Sequence, residues 1–169
     1  NGHLECLKYA HENGCKWHPN TTFCAAKKGQ LECLKYAREN GCEWDPDATA
    51  AAARKGHLEC LKYARENGCE WHPHTTSAAA WNGQLECLKY AHENGCEWHP
   101  ETTFRAAKNG HLECLKYIYE HCGDEVTWEN SKLEDEEFPK EIQDFIDSVE
   151  EDWKCGYNKS GYNIKGSSC

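Results

Sequence analysis

The chain has no methionine, no apolar run of the roughly 18–20 residues a membrane helix needs, and no excess of basic charge. Each absence excludes something. Without a long apolar run no membrane-spanning helix is expected, and no secretory signal is visible. The missing methionine and an opening in mid-phrase at Asn1-Gly2 predict a piece of a longer array, whose lost N-terminus would hide any such signal. A formal net charge of -10 leaves no general basic surface to release phosphate counterions. Sequence-independent nucleic-acid binding is therefore not expected, and only a local basic strip would change that. No phosphate loop or dinucleotide fingerprint occurs, so no cofactor is expected.

The acidity is uneven. Residues 122–169 hold 13 Asp/Glu against 5 Lys, whereas residues 1–121 hold 16 acids against 14 bases. The negative charge thus belongs to the C-terminal segment.

Cysteine is abundant, at 13 of 169 residues. That count suggests a disulfide scaffold, but the spacing argues otherwise. Cys6, Cys33, Cys60, Cys87 and Cys114 recur every 27 residues, and so do Cys15, Cys42, Cys69 and Cys96. Stacked helices hold equivalent atoms about 10 Å apart, whereas a disulfide needs Cα atoms within about 7 Å. Equivalent cysteines cannot pair. Most are read as small buried apolar residues, kept reduced in a cytoplasmic compartment.

The same period governs the whole array. The phrase GHLECLKYARENGCEW at residues 56–71 recurs, slightly altered, from Gly2, Gly29, Gly83 and Gly110. A period of this size marks a solenoid. Two helices fit each unit. One follows a proline (Pro19, Pro46, Pro73, Pro100), which suits a first helical turn. Asp45, Asp47 or the threonines are expected to cap its start. The other is LECLKYARE and its copies, apolar through Leu, Cys, Tyr and Ala, and stopped by Asn-Gly. The tryptophans of the connections (Trp17, Trp44, Trp71, Trp98) are expected to wedge between repeats. Alanine pairs such as Ala52-Ala53 let neighbouring helices approach closely. One unit cannot bury its apolar side alone; stacking does so.

The segment Ala53-Arg54-Lys55-Gly56-His57-Leu58-Glu59, continuing to Asn67-Gly68, resembles the heart of the ankyrin repeat. The likeness covers about 120 residues as four and a half repeats. The period is 27 where ankyrins have about 33. The shortfall falls where ankyrins place a β-hairpin, and segments such as ETTF and DATA replace the TPLH signature. The resemblance implies a short, hairpin-poor, all-α solenoid of stacked helix-turn-helix repeats. It also implies a non-enzymatic binding scaffold, with a two-residue exposed slot after each alanine pair.

Comparison of the repeats with one another locates the letters that change. The slot holds Lys27-Lys28, Arg54-Lys55, Trp81-Asn82 and Lys108-Asn109. Before the alanine pairs stand Phe23, Phe104 and Arg105, and at the helix starts Asn20, Asp47, His74 and Glu101. Lys27, Arg54, Trp81, Asn82, Lys108, Asn20, Asp47, His74, Glu101, Phe23, Phe104 and Arg105 are therefore the candidate partner-binding residues. Trp and Arg are favoured interface anchors. Drift of an unconstrained surface is the competing explanation.

Other chemistry is weaker. Cys15/His18, Cys69/His72 and Cys96/His99 carry half of a zinc spacing, but equivalent positions lie too far apart to converge, and no metal site is expected. Glu12, Glu39, Glu66 and Glu93 read as a solvated surface rather than acid/base pairs. Cys24 stands outside both cysteine ladders.

Residues 122–154 predict an acidic cap. Pro139 opens a helix whose Ile142, Phe145, Ile146, Val149 and Trp153 form one apolar stripe, suited to close the array or to dock a partner. Residues 155–169 read as a flexible tail. The expected function is recognition of a protein partner by the repeat surface. A structural spacer and a substrate-recognition arm of a larger protein, such as a ubiquitin-ligase adaptor, are the alternatives. Self-association through the uncovered first repeat is also open.

Overall fold

The computed structural model describes residues 2–121 and 137–154, the last five as backbone only. The expected tail over 155–169 and the first part of the expected acidic cap, 122–136, lie outside the described residues, as does the side chain of Trp153. Among the described residues nine helices alternate between two kinds. The phrase helices are α1 (Leu4–Glu12), α3 (Leu31–Glu39), α5 (Leu58–Glu66), α7 (Leu85–Glu93) and α9 (Leu112–His121). The proline-led helices are α2 (Thr21–Lys27), α4 (Ala48–Lys55), α6 (Thr75–Trp81) and α8 (Thr102–Lys108). Helix α10 (Lys140–Lys154) follows. Among the described residues there is no strand, so the hairpin is absent from connections such as 40–47.

Each proline-led helix packs on the phrase helix after it and on the proline-led helices of adjacent repeats. Ala26, Ala52, Ala53, Ala79, Ala80, Ala106 and Ala107 are fully buried there, where a larger side chain would hold the helices apart. Leu34, Leu61, Leu88 and Leu115 are fully buried on the phrase side. Helix α1 is the first described helix. Its Cys6 is exposed and its Leu7 half-buried, while the equivalent Leu34 is covered. At the other end Ile142, Ile146 and Val149 of α10 are buried, and Phe145 meets Tyr119 edge-on at 5.8 Å. The described residues of the amphipathic stripe thus pack against the last phrase helix.

Polar groups lock the period. The threonines were expected as helix caps, yet no side-chain cap bond forms at the start of α2, α4, α6 or α8. Thr22, Thr49 and Thr76 are fully buried instead and reach the next connection. Thr22 Oγ1 accepts the Asp45 N–H at 2.8 Å and donates to the Glu43 carbonyl at 3.3 Å. Thr49 does the same with His72 and Glu70, and Thr76 with His99 and Glu97. The tryptophans wedge as expected. Trp17, Trp44 and Trp71 donate from Nε1 to the carbonyls of Asn40, Asn67 and Asn94, one repeat on, at 2.8, 2.9 and 3.0 Å. Those asparagines also close their own helices: Asn40 Nδ2 donates to the Tyr36 carbonyl at 2.8 Å. In the fifth unit His121 Nδ1 takes that place, donating to the Tyr117 carbonyl at 2.9 Å.

Two glycines show two constraints. Gly68 has φ +84 and open space around its missing Cβ. Gly83 has φ +65, and a Cβ there would lie 2.6 Å from Nδ1 of His111, a ring pinned by its Nε2 bond to the Trp81 carbonyl at 3.1 Å.

Chemical denaturation should separate these roles. Gly68→Ala is expected to cost about 1–2 kcal/mol for a left-handed backbone alone. Gly83→Ala should cost at least about 1 kcal/mol more, because the His111 ring must also move. Equal losses would contradict the close approach. A second check is thiol alkylation of the native chain. Burial pushes the thiols of Cys60, Cys69, Cys87, Cys96 and Cys114 up to about 11. Peptide mass spectrometry near neutral pH should find Cys6, Cys15 and Cys24, which are exposed, modified well before those five.

Candidate functional site

The varied residues divide into three groups. The first lines an open groove of about 340 Å³ along α2, α4, α6 and α8. Six candidates meet there: Phe23, Lys27, Asp47, Arg54, His74 and Arg105. Ala50, Ala51 and Ala78 also line it, and their small side chains leave the space open. His72 completes it.

The second group surrounds Trp81, which is 42% exposed. The Arg105 guanidinium lies over its ring at 5.3 Å and is held from below by Glu101, with Nη2 to Oε2 at 2.7 Å and Nε to Oε2 at 3.0 Å. That ion pair holds the Glu101 carboxyl below its ordinary value. Trp81, Arg105 and Glu101 thus form one preset contact, in which the arginine belongs to both groove and tryptophan. The third group pairs cations with rings along one helix: Lys27 over Phe23 and Lys108 over Phe104, each at 5.3 Å.

Two candidates have structural duties. Asn82 Nδ2 donates to the Ala78 carbonyl at 3.2 Å and closes α6. Asn20 offers its backbone N–H to His18 Nδ1 at 3.2 Å, at the exposed end of the array.

The histidines of Cys-x-x-His have a role that the spacing alone conceals. His72 Nδ1 accepts the His74 N–H at 3.1 Å, and His99 Nδ1 accepts the Glu101 N–H at 3.2 Å. In the second repeat Asp45 Oδ1 accepts the Asp47 N–H at 2.9 Å. Imidazole Nδ1 and carboxylate Oδ1 serve the same turn, so His and Asp exchange there. The bond also fixes the neutral tautomer with its proton on Nε2, and His72 Nε2 donates that proton to Asp47 at 3.0 Å. Zinc would need that nitrogen bare and the neighbouring cysteine ionised, yet the buried Cys69 and Cys96 thiols resist ionisation. The donor set does not fit a metal, and among the described residues no three ligating side chains converge.

Sequence reasoning missed His72 and His99 as parts of this face. Their rings form a row with His74: His72 to His74 centroids are 5.5 Å apart, and His74 to His99 4.2 Å. The Asp45 exchange was the available signal. It also missed the partner of the connection tryptophans. Arg38 and Arg65 lie over Trp44 and Trp71 at 4.8 and 5.3 Å, while His11 and His92 stack on Trp17 and Trp98 at 4.4 and 4.7 Å.

No family model and no curated protein matches the chain. Among solved structures, the crystal structure of the human ASB11 ankyrin repeat domain is similar, with a TM-score of 0.60 and 20% identity over 70% of this chain. The match spans 64% of that domain's length. This chain has the fold of an ankyrin repeat domain. Among the described residues no helix is long and apolar enough to cross a membrane.

Two histidines make the array sensitive to pH. Burial first, then the neighbouring His121, lowers the His92 pKa; burial first, then His74, lowers that of His99, against an opposing pull from Glu101 and with smaller lowering by Arg105 and His72. The unfolded chain binds protons at these rings near the ordinary histidine value, about 6.5, before the folded chain does. Their contribution is therefore complete above that value and shrinks as pH falls through it. The melting temperature should drop between about pH 7.5 and about pH 5.5. His92→Arg/His99→Asp, which borrows the residues of the second repeat, should keep both contacts and drop less. An equal drop in both proteins would refute this source.

Proposed function

We propose that this chain is a non-enzymatic recognition scaffold, which holds a protein partner on the exposed side of α2, α4, α6 and α8. The single observation that carries this reading is convergence. Positions that vary between otherwise near-identical repeats gather on one groove and on the adjoining Trp81–Arg105–Glu101 contact. Freely drifting residues have no reason to place one arginine both in that groove and over an exposed tryptophan beside it. The framework supports such a role: repeats bonded to their neighbours hold the face rigid, which limits the entropy lost on binding. The free, buried cysteines support work in a reducing, cytoplasmic compartment.

Comparative affinity capture from cell lysate tests this. One bait is the chain itself; the other carries Trp81→Ala, Arg54→Ala, Phe104→Ala and Arg105→Ala, with circular dichroism confirming unchanged helicity. A partner retained by the first and lost by the second is expected. Identical partner sets would remove recognition from this face and favour a spacer.

A further inference from the structure

We infer that the groove receives an acidic peptide segment of the partner, rather than a neutral or basic one. This rests on the reading that the groove is the recognition surface, and it adds the chemistry of what enters.

The chain treats its cations in two ways. On the phrase helices, Lys8, Lys35, Lys62, Lys89 and Lys116 each meet a glutamate three residues earlier, at 2.9–3.4 Å. The groove is different. Among the described residues Lys27 and Arg54 have no carboxylate within ion-pair distance, though both are exposed and line the same cavity. The groove's own acid, Asp47, is engaged by His72 Nε2. Arg105 retains its bond to Glu101 and adds a third cation at the groove wall.

The wider face has the same sign. Residues 20–28, 47–55, 74–82 and 101–109 carry six Lys/Arg against two Asp/Glu, in a chain whose net charge is -10. A positive strip on a negative protein steers an oppositely charged segment to one place and repels it elsewhere. Groove size and lining select the class of polyanion. About 340 Å³ between short helices admits a single peptide strand. Alanines in the lining accept backbone and small apolar side chains, and the Phe23 ring offers one aromatic contact. A nucleic acid would also need a long phosphate track, which the negative remainder of the chain opposes.

Selection from a random peptide display library decides the matter. The full chain and Lys27→Glu/Arg54→Glu would be panned in parallel, after circular dichroism confirms equal helicity. Both positions are exposed, so the substitutions should not disturb folding. Peptides enriched on the unaltered chain are expected to be rich in Asp and Glu, with apolar residues between. A synthetic copy of the most enriched should bind the double variant at least about tenfold more weakly, and bind the unaltered chain more weakly as salt is raised. Neutral or basic peptides that nevertheless depend on Trp81 and Arg54 would overturn the acidic assignment and leave the groove as the recognition surface. Acidic peptides held equally by the double variant would overturn both. Failure to enrich acidic sequences at all would overturn the assignment, as would a mixed-sequence DNA oligonucleotide that displaces the peptide with equal strength.

Discussion

A buried threonine hydroxyl that reaches into the next repeat is the contact on which this structure depends. Thr22, Thr49 and Thr76 each satisfy a backbone N–H and a backbone carbonyl in the connection that follows. The connection has no strand partner to take those groups. Buried and unpaired they would be costly, so a repeat without its neighbour is incomplete. The spacing of that bond, 21 and 23 residues forward, allows no hairpin between the helices. A short repeat follows directly from how its backbone is satisfied.

This arrangement separates the stability of the stack from the residues of its varied face. Tryptophan Nε1, threonine Oγ1 and asparagine Nδ2 bind backbone atoms, so they are indifferent to the side chains on the exposed helix turns. The alanine pairs fill the space between proline-led helices with nothing larger than a methyl group. Positions before and after those pairs can then change from Lys to Trp or from Ala to Phe at little cost to the stack. Asn82 shows where that freedom ends. It occupies a varied slot and still closes its helix.

Much of this was legible because the sequence repeats. The period, the two helices, the Asn-Gly stop, the burial of most of the cysteine ladders and the apolar stripe of α10 all follow from spacing and residue type. The tryptophan wedge followed from its place between repeats. Other parts were hidden because they depend on atoms rather than residue classes. Threonine after proline reads equally well as a cap or as a buried bridge; only burial decides between them. Histidine three residues after cysteine reads as a metal ligand until Asp45 is seen to accept the same backbone bond. The groove was illegible as a cavity, since its lining comes from four helices that spacing alone cannot place in depth.

The exchanges between repeats explain why the grooved face carries titratable groups. His72 and His99 are present because a turn requires an acceptor two residues before a backbone N–H, and a carboxylate serves as well. A carboxylate at all of these positions would have put more negative charge beside Asp47 and Glu101. Imidazole at three of the four, His18, His72 and His99, adds no negative charge to the face while meeting the same need. In the same way Arg and His replace one another over the connection tryptophans, because either can lie on an indole. The chain thus adjusts charge at positions whose geometry is already fixed by the backbone, and a stacked array can do so one repeat at a time.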